Sequence, residues 1–178
     1  LSLGPDSATL TPIAGGLIMM AAFFASLLPL EKIFADDAAD STIETLMTTN
    51  APLPVYCAGR MLAHWLTGGL SLVLATPLAG LMLGIDVRDC GHLALVMLPV
   101  TLLFTMLGAA VSALVLSARR GAMLLALLTA PLYIPVLIFG AGAMAGADTP
   151  LLMLTAMTAI LLPVSPLLTS GCLALMKD

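Results

Sequence analysis

The chain has 178 residues, of which 61% are hydrophobic and 9% are charged, and its mean hydropathy is +1.14. Soluble domains carry charge on about a quarter of their residues, so this composition excludes a soluble globular protein and indicates a lipid-embedded one. A formal net charge of -4, with no basic run longer than Arg119-Arg120, excludes a general electrostatic affinity for nucleic acid.

Five apolar stretches are long enough to cross roughly 30 Å of hydrocarbon as helices, which takes about 20 residues each. None contains Lys, Arg, Asp, Glu or His, and none alternates polar with apolar residues as a barrel strand would. Because backbone polar groups must be satisfied inside lipid, we predict an all-α, polytopic membrane helix bundle that forms one transmembrane domain over residues 1–178. The predicted spans cover residues 10–30, 65–85, 93–118, 122–145 and 151–176.

The basic residues predict the orientation of these spans, because short cytoplasmic loops hold the excess of Lys and Arg. Residues 31–64 face the cytoplasm in this prediction. The first residue then lies outside and the last inside, so we expect a further helix upstream of residue 1 to restore a cytoplasmic start. Arg88 is expected outside, and the basic residues expected inside are Lys32, Arg60, Arg119, Arg120 and Lys177.

The long connection at residues 31–64 carries five of the ten acidic residues. Ser41 and Glu44 have the spacing of a capping box, in which the Glu44 amide donates to the Ser41 hydroxyl and the Glu44 carboxylate reaches back to the Ser41 amide. A short helix is therefore predicted from Ser41 to about Asn50, where Pro52 restricts the preceding backbone. So short a helix is not stable alone, so other contacts must hold it.

One face of this predicted helix is apolar and the chain just before it is acidic, a combination suited to docking in a groove on another protein. Interfacial anchors usually carry Lys and Arg to suit anionic lipid, whereas this segment carries Asp and Glu. We therefore favour docking over two alternatives, a helix that lies on lipid headgroups and a merely solvated charged face. The predicted docking residues are Glu31, Asp36, Asp37, Asp40, Ser41, Ile43, Glu44, Leu46 and Met47.

The predicted spans lack the chemistry of energy coupling. Proton- and ion-coupled carriers need ionisable groups at membrane depth, and the sequence has no Gly-x-x-x-x-Gly-Lys-Ser/Thr phosphate loop. We therefore expect the chain to bind no ATP or other cofactor and to catalyse no reaction. Any active transport would draw its energy from an ATPase on another polypeptide.

We do not expect a metal site. The three cysteines have no Cys-x-x-Cys spacing, and the predicted topology puts His64 and His92 on opposite faces of the membrane, so they cannot share a ligand. We favour an ordinary interfacial position for each histidine over haem ligation by either one. Trp65 is interpreted as an aromatic anchor at the cytoplasmic edge.

Pro131 and Pro135 flank Tyr133 in the fourth predicted span and should kink or break that helix. Broken helices occur at membrane depth where they are buried in protein or line a cavity. These three residues are therefore the candidate conformational hinge, in a span that could also re-enter from the outer face. A rigid kink is an equal alternative.

Several runs of residues resemble the CcmB family, the haem exporter B permeases of bacterial cytochrome c maturation. Within the long connection they are LEKIFADD at residues 30–37, DSTIETL at 40–46, PLP at 52–54 and AHW at 63–65. One departure is Ser41, where the acidic motif of the family implies glycine, although both residues are accepted at a helix N-cap. The resemblance covers essentially the whole chain, since it continues through residues 83–87, 118–121 and 131–139.

This resemblance implies an ABC-2-type exporter permease of the bacterial inner membrane, with six spans of which five are present here. It also implies a complex with the ATP-binding subunit CcmA, the subunits CcmC and CcmD, and the haem chaperone CcmE, in which two permease copies could pair. ATP would bind to the partner subunit, and haem would be handled by the complex. By analogy with related exporters, the ATPase docks on the segment that bears Glu31, Asp36, Asp37 and Glu44.

Two mechanisms remain open, the export of haem and the ATP-driven release of the haem-loaded chaperone. Aromatic residues make up 4% of the chain and the predicted spans hold no histidine, which mildly favours the second. The alternative to a permease is a membrane scaffold that transports nothing and anchors an ATPase and haem-handling partners.

Overall fold

The computed structural model describes residues 7–49, 51–117 and 122–175, which form helices joined by short turns. A helix suits such apolar sequence because it satisfies backbone N–H and C=O groups within its own segment. In chain order the elements are α1 (Ser7–Leu27), a 3-10 turn (Leu28–Glu31), α2 (Lys32–Ala39), α3 (Thr42–Thr48), α4 (Leu53–His64), a π-helical segment (Trp65–Gly69), α5 (Leu70–Met82), α6 (Val87–Ser117), α7 (Ala122–Met144) and α8 (Asp148–Ala174).

Five helical stretches among the described residues are long and apolar enough to cross a membrane. Their number and order match the prediction, so the all-α bundle with five spans is confirmed. The stretches are Ile13–Ala39, Leu53–Met82, Val87–Ser117, Leu124–Met144 and Asp148–Ala174.

The helices that contain the first two predicted spans are longer than those spans. The first helix continues past Glu31 into α2, and the second begins at Leu53 instead of Trp65. The prediction ended these spans at Glu31 and His64, but the helices continue past both residues. Two charged residues within the longer helices, Arg60 and Asp37, pair with each other at 2.8 Å. Residues 31–64 are therefore mostly helical, whereas a loop with one short helix was expected.

Helix α6 is the centre of the bundle. In its most apolar window 67% of the residues are buried, against 28% or less in the other four spans, and it packs against α5, α7 and α8. Its buried hydroxyls have partners: Thr105 donates to the Thr101 carbonyl and Ser112 to the Leu30 carbonyl, both at 3.0 Å. These bonds matter because an unsatisfied polar group away from water costs several kcal/mol.

Helix α7 runs unbroken through Pro131 and Pro135, so the predicted break or re-entrant turn is wrong. Tyr133 is fully buried, its hydroxyl donates to the Phe104 carbonyl of α6 at 2.6 Å, and its ring stacks on Phe104 with centroids 4.4 Å apart. Neighbouring helices allow proline inside membrane helices, and here α6 supports α7 between the two prolines. Hinge motion at these three residues stays a prediction.

The contact between α6 and α7 depends on a small residue, Gly108. A Cβ atom added at Gly108 would lie 2.6 Å from the Tyr133 hydroxyl and would also collide with the Leu30 side chain. Small residues let membrane helices approach closely where lipid gives no hydrophobic drive to associate. Gly108 therefore permits two contacts at once, with α7 and with the chain at the end of the first span.

We predict that Gly108→Ala lowers the free energy of unfolding by about 1–3 kcal/mol, because overpacking must displace Tyr133 or Leu30. Gly91→Ala on the same helix is the matched control, since nothing lies within 4 Å of an added Cβ there. That control should be neutral or stabilising by up to about 1 kcal/mol. Thermal unfolding of the detergent-solubilised protein measures both, and equal midpoints for the two variants would contradict close packing at Gly108.

Candidate functional site

Helices α2 and α3 form a hairpin at the end of the first span, and we call residues 28–49 the acidic hairpin. Its two helices pack on each other, and α2 also packs on α4 and α6. Ile33 and Phe34 of α2 and Ile43 of α3 are buried. Because these apolar side chains face the core of this protein, the polar residues of the hairpin are left on its exposed side.

Arg60 of α4 attaches the acidic hairpin to the second span. Its Nε lies 2.8 Å from Asp37 Oδ2, and its Nε and Nη2 donate to the Ile33 carbonyl at 3.1 and 2.8 Å. Tyr56, one turn earlier on α4, donates its hydroxyl to the same oxygen of Asp37. Charge-assisted bonds in a partly buried network are stronger than an isolated surface ion pair. We call Asp37, Tyr56 and Arg60 the clamp.

The predicted docking residues separate into an inward-facing set and an exposed set. Asp37 is engaged in the clamp, and Ile43 is 1% exposed, with Leu46 and Met47 half-buried beside it. The apolar stripe of α3 therefore packs against this protein and is not presented to a partner. The surface that remains is polar and mostly acidic, and it consists of Glu31, Asp36, Asp40, Ser41 and Glu44.

The capping box predicted at Ser41 and Glu44 is wrong. Ser41 has φ 56° and ψ 19°, in the left-handed region, and its side chain makes no capping hydrogen bond. A serine N-cap needs a non-helical, usually extended backbone to aim its hydroxyl at the helix amides, whereas the tight turn between α2 and α3 requires a left-handed residue. The short helix itself is confirmed at Thr42–Thr48, and the left-handed position explains why glycine would suit residue 41.

Reasoning from the sequence did not identify two residues of the clamp as functional. Arg60 counted only as a charge that sets orientation, and Tyr56 was not considered. Their spacing of four residues on α4 puts them on one helix face, which could have indicated a polar patch that needs a partner. No local spacing connects that patch with Asp37, because the contact depends on how α2 folds back against α4.

The second span contains an irregular turn, the π-helical segment Trp65–Gly69. Trp65 donates its indole N–H to the Thr101 hydroxyl at 3.1 Å, and Thr101 is near the middle of α6. The predicted position of Trp65 at the cytoplasmic edge is therefore wrong, because the helix begins at Leu53 and carries Trp65 to the centre of the bundle.

The two histidines lie at different levels of the bundle. His64 directly precedes the π-helical segment, whereas His92, near the start of α6, has its Nε2 2.9 Å from the Ala143 carbonyl of α7. Across residues 7–49, 51–117 and 122–175, no group of three or more His, Cys, Asp or Glu side chains could hold a metal ion.

Comparison of the sequence with known proteins matches this chain to one family. The sequence model described as "CcmB protein" matches residues 1–175. The Heme exporter protein B of Pseudomonas aeruginosa is 41% identical over 172 residues, which cover 93% of this chain and 77% of that protein. The proteins of the same name from Haemophilus influenzae and Escherichia coli K12 are 38% and 39% identical, over 100% and 97% of this chain and 83% and 81% of theirs.

We predict that Ser41→Gly raises the free energy of unfolding by about 1 kcal/mol, because glycine removes the strain of a side chain at positive φ. Thr42→Gly, one residue later and inside α3, is the matched control and should lower stability by about 0.5–1 kcal/mol. Thermal unfolding of both variants in one detergent makes the comparison. A Ser41→Gly variant that is destabilised as much as Thr42→Gly would disprove the left-handed turn.

Proposed function

Because this chain belongs to the CcmB family, we propose that it is the membrane permease subunit of an ABC-type haem export complex that serves cytochrome c maturation. Heme exporter protein B is the name of the relatives, and the five apolar spans provide the membrane body of such a subunit. In this proposal the chain resides in the bacterial inner membrane and is not itself catalytic.

The partners of the proposed complex follow from this role. ATP binds to a separate subunit, CcmA, which hydrolyses it, and this chain binds no nucleotide. CcmC, CcmD and the haem chaperone CcmE are the further partners, haem is handled by the complex as a whole, and two permease copies can pair within it. The distribution of basic residues supports a cytoplasmic position for the acidic hairpin, where an ATPase would meet it.

The observation that carries this proposal is the acidic hairpin held by the clamp. Its exposed side presents carboxylates of Glu31, Asp36, Asp40 and Glu44, which suit a basic groove. Since the apolar residues of α3 are turned inward, we propose that charge complementarity provides most of the contact with the ATPase. Among the predicted docking residues, Asp37 then has a different role, because the clamp occupies it.

Two contacts would carry motion from the hairpin into the spans. The clamp connects α2 with α4 through Arg60, and the Ser112 hydroxyl of α6 donates to the Leu30 carbonyl in the turn before α2. A rigid displacement of the hairpin therefore acts on the second span and on the central helix together. This is the proposed route by which ATP hydrolysis on the partner moves the permease.

A scaffold without transport is the second candidate, and one observation favours it. Helix α7 is unbroken at its two prolines and is attached to α6 through the buried Tyr133, which suits a rigid body that only positions its partners. ATP-dependent changes in the distance between α7 and the other spans, measured in the assembled complex, separate the two candidates. Transport requires such changes and a scaffold does not.

We predict that replacing Asp36, Asp40 and Glu44 by alanine together reduces co-purification of the ATPase subunit and the yield of cytochrome c. Exposed ion pairs are worth about 0.2–1 kcal/mol each, so three of them predict a loss of affinity of roughly tenfold. The readouts are the amount of ATPase subunit recovered with the tagged permease and haem-stained cytochrome c in membranes.

The control is a variant with the same change in charge at the other end of the bundle. Asp86, Asp89 and Asp148 are exposed there, and their replacement by alanine should leave ATPase recovery at the parent level. Unchanged recovery in the hairpin variant, or an equal loss in both variants, would refute docking on the acidic hairpin.

A further inference from the structure

The second span is one continuous helix with an irregular turn at its middle. It runs from Leu53 to Met82, and at the π-helical segment the Leu70 amide donates to the Trp65 carbonyl, five residues back. An α-helix makes this bond to the carbonyl four residues back. The segment therefore holds about one residue more than an α-helical turn does, and π-helical turns of this kind are frequent at functional sites.

A hydrogen bond to the central helix accompanies this wide turn. The Trp65 indole N–H donates to the Thr101 hydroxyl, which itself donates to the Leu98 carbonyl, both at 3.1 Å. A Cβ atom added at Gly69 would lie 2.9 Å from the indole nitrogen. The ring therefore lies against Gly69, in a position that only a residue without a side chain leaves open.

Two hydroxyl groups support the backbone around the segment. Thr67 donates to the carbonyls of Ala63 and His64 at 3.0 and 3.1 Å, and Ser71 donates to the Thr67 carbonyl at 2.8 Å. Such side chains can satisfy backbone groups that an irregular turn frees inside a membrane. A Ser or Thr hydroxyl also reaches the carbonyl four residues back in a regular α-helix. These hydroxyls are therefore compatible with both forms of the turn.

Cavities flank the segment on both sides, although protein interiors are usually close-packed. One cavity of about 270 Å³ lies between α4, α6 and α8, and Trp65 and Thr105 contribute to its lining. The other, of about 300 Å³, lies between α1, α5 and α6, and its lining includes His64, Gly69 and Thr101. The residues of the segment therefore have free volume on both flanks into which their side chains can turn.

The two halves of the second span are held by different neighbours. Helix α5 packs mainly against the central helix α6, whereas α4 packs against α8 and is joined to α2 by the clamp. One half is thus attached to the centre of the bundle and the other to the acidic hairpin. A displacement of the hairpin therefore acts on the π-helical segment, which lies between these two attachments.

We propose that the π-helical segment is a register switch, which converts to an α-helix when the acidic hairpin moves. The Leu70 amide then donates to the Leu66 carbonyl instead of the Trp65 carbonyl. As a result α4 turns by about 100° relative to α5, the angle of one α-helical residue. Leu66 takes the place of Trp65 opposite Thr101, and each residue of α4 takes the direction of the residue before it. The inference rests on the proposed function for the source of the motion, the partner ATPase.

Spin labels on α4 measure its direction. One label is placed at Leu62 or at Ala63, adjacent residues that are both exposed, and the second at Leu127 of α7, which is 71% exposed. The full chain, with its three cysteines replaced by alanine, is reconstituted in nanodiscs of phosphatidylethanolamine and phosphatidylglycerol. Double electron–electron resonance then gives the two label-to-label distances, and circular dichroism checks that each variant keeps its helices.

Two substitutions should favour the α-helical register without any ATPase. Gly69→Ala overpacks the π-helical form against the Trp65 ring, and Thr101→Val leaves the buried indole N–H without its acceptor. We expect each to shift the ratio of the two distance populations about tenfold towards the α-helical register. Gly68→Ala is the matched control, because nothing lies within 4 Å of an added Cβ there, and it should give the distances of the parent. Thr101→Val decides the matter if Gly69→Ala does not fold.

In the assembled complex, ATP with vanadate should give the label at Ala63 the distance that the label at Leu62 has without nucleotide. A side chain on a helix about 10–12 Å wide moves by about 8 Å when the helix turns through 100°. Equal changes at the two positions would show a rigid tilt of α4 and overturn the proposal.

Distances that stay unchanged with nucleotide while the ATPase is bound, or parent-like distances in both Gly69→Ala and Thr101→Val, would also overturn the register switch. None of these results touches the proposed function, which is tested by recovery of the ATPase subunit. If that recovery fails, the two substitutions still decide whether the segment has two registers, because their measurement needs no partner.

Discussion

The clamp is the interaction on which the account of this protein depends. Arg60 binds both the Asp37 carboxylate and the Ile33 carbonyl, and Tyr56 binds the same carboxylate. The buried side chains of Ile33, Phe34 and Ile43 hold α2 and α3 against the bundle, because helices so short are not stable alone. The clamp adds a polar connection to α4, so whatever binds the acidic hairpin can act on the second span.

A second constraint operates inside the bundle, where buried polar groups must find partners among the helices. The Tyr133 hydroxyl bonds to the Phe104 carbonyl and the Ser112 hydroxyl to the Leu30 carbonyl, so α6 is connected both to α7 and to the 3-10 turn at the start of the acidic hairpin. Gly108 lies between these two contacts and makes room for both. The central helix is therefore the element through which the hairpin and the distant spans can influence one another.

Composition and charge were sufficient to predict the all-α bundle and its five spans, because lipid imposes the same requirement on every backbone group. They were not sufficient for helix ends, since the helices continue past Glu31 and His64 and the charge of Arg60 is neutralised by Asp37. The short α3 helix was predictable from local spacing. Its cap at Ser41 was not, because the turn before it is determined by how α2 and α3 pack.

The positions of Trp65 and His64 show the same limit more clearly. Each was assigned to the membrane surface because the second span was predicted to begin at Trp65, whereas the helix begins at Leu53 and Trp65 bonds to Thr101 near the middle of α6. The acidic residues of the hairpin could be identified from sequence, but their division into Asp37 within the clamp and the others outside depends on a contact between residues far apart in the chain.

The central claim is that the clamp transmits motion, and separating docking from transmission tests it most directly. In Asp37→Asn and Arg60→Gln variants, the outward carboxylates of the hairpin remain. The account predicts that the ATPase subunit co-purifies at the parent level while cytochrome c yield falls. The loss in the double variant should be smaller than the sum of the two single losses, because both substitutions remove the shared contact between Asp37 and Arg60. A full yield of cytochrome c in both single variants, with the ATPase bound, would contradict the account.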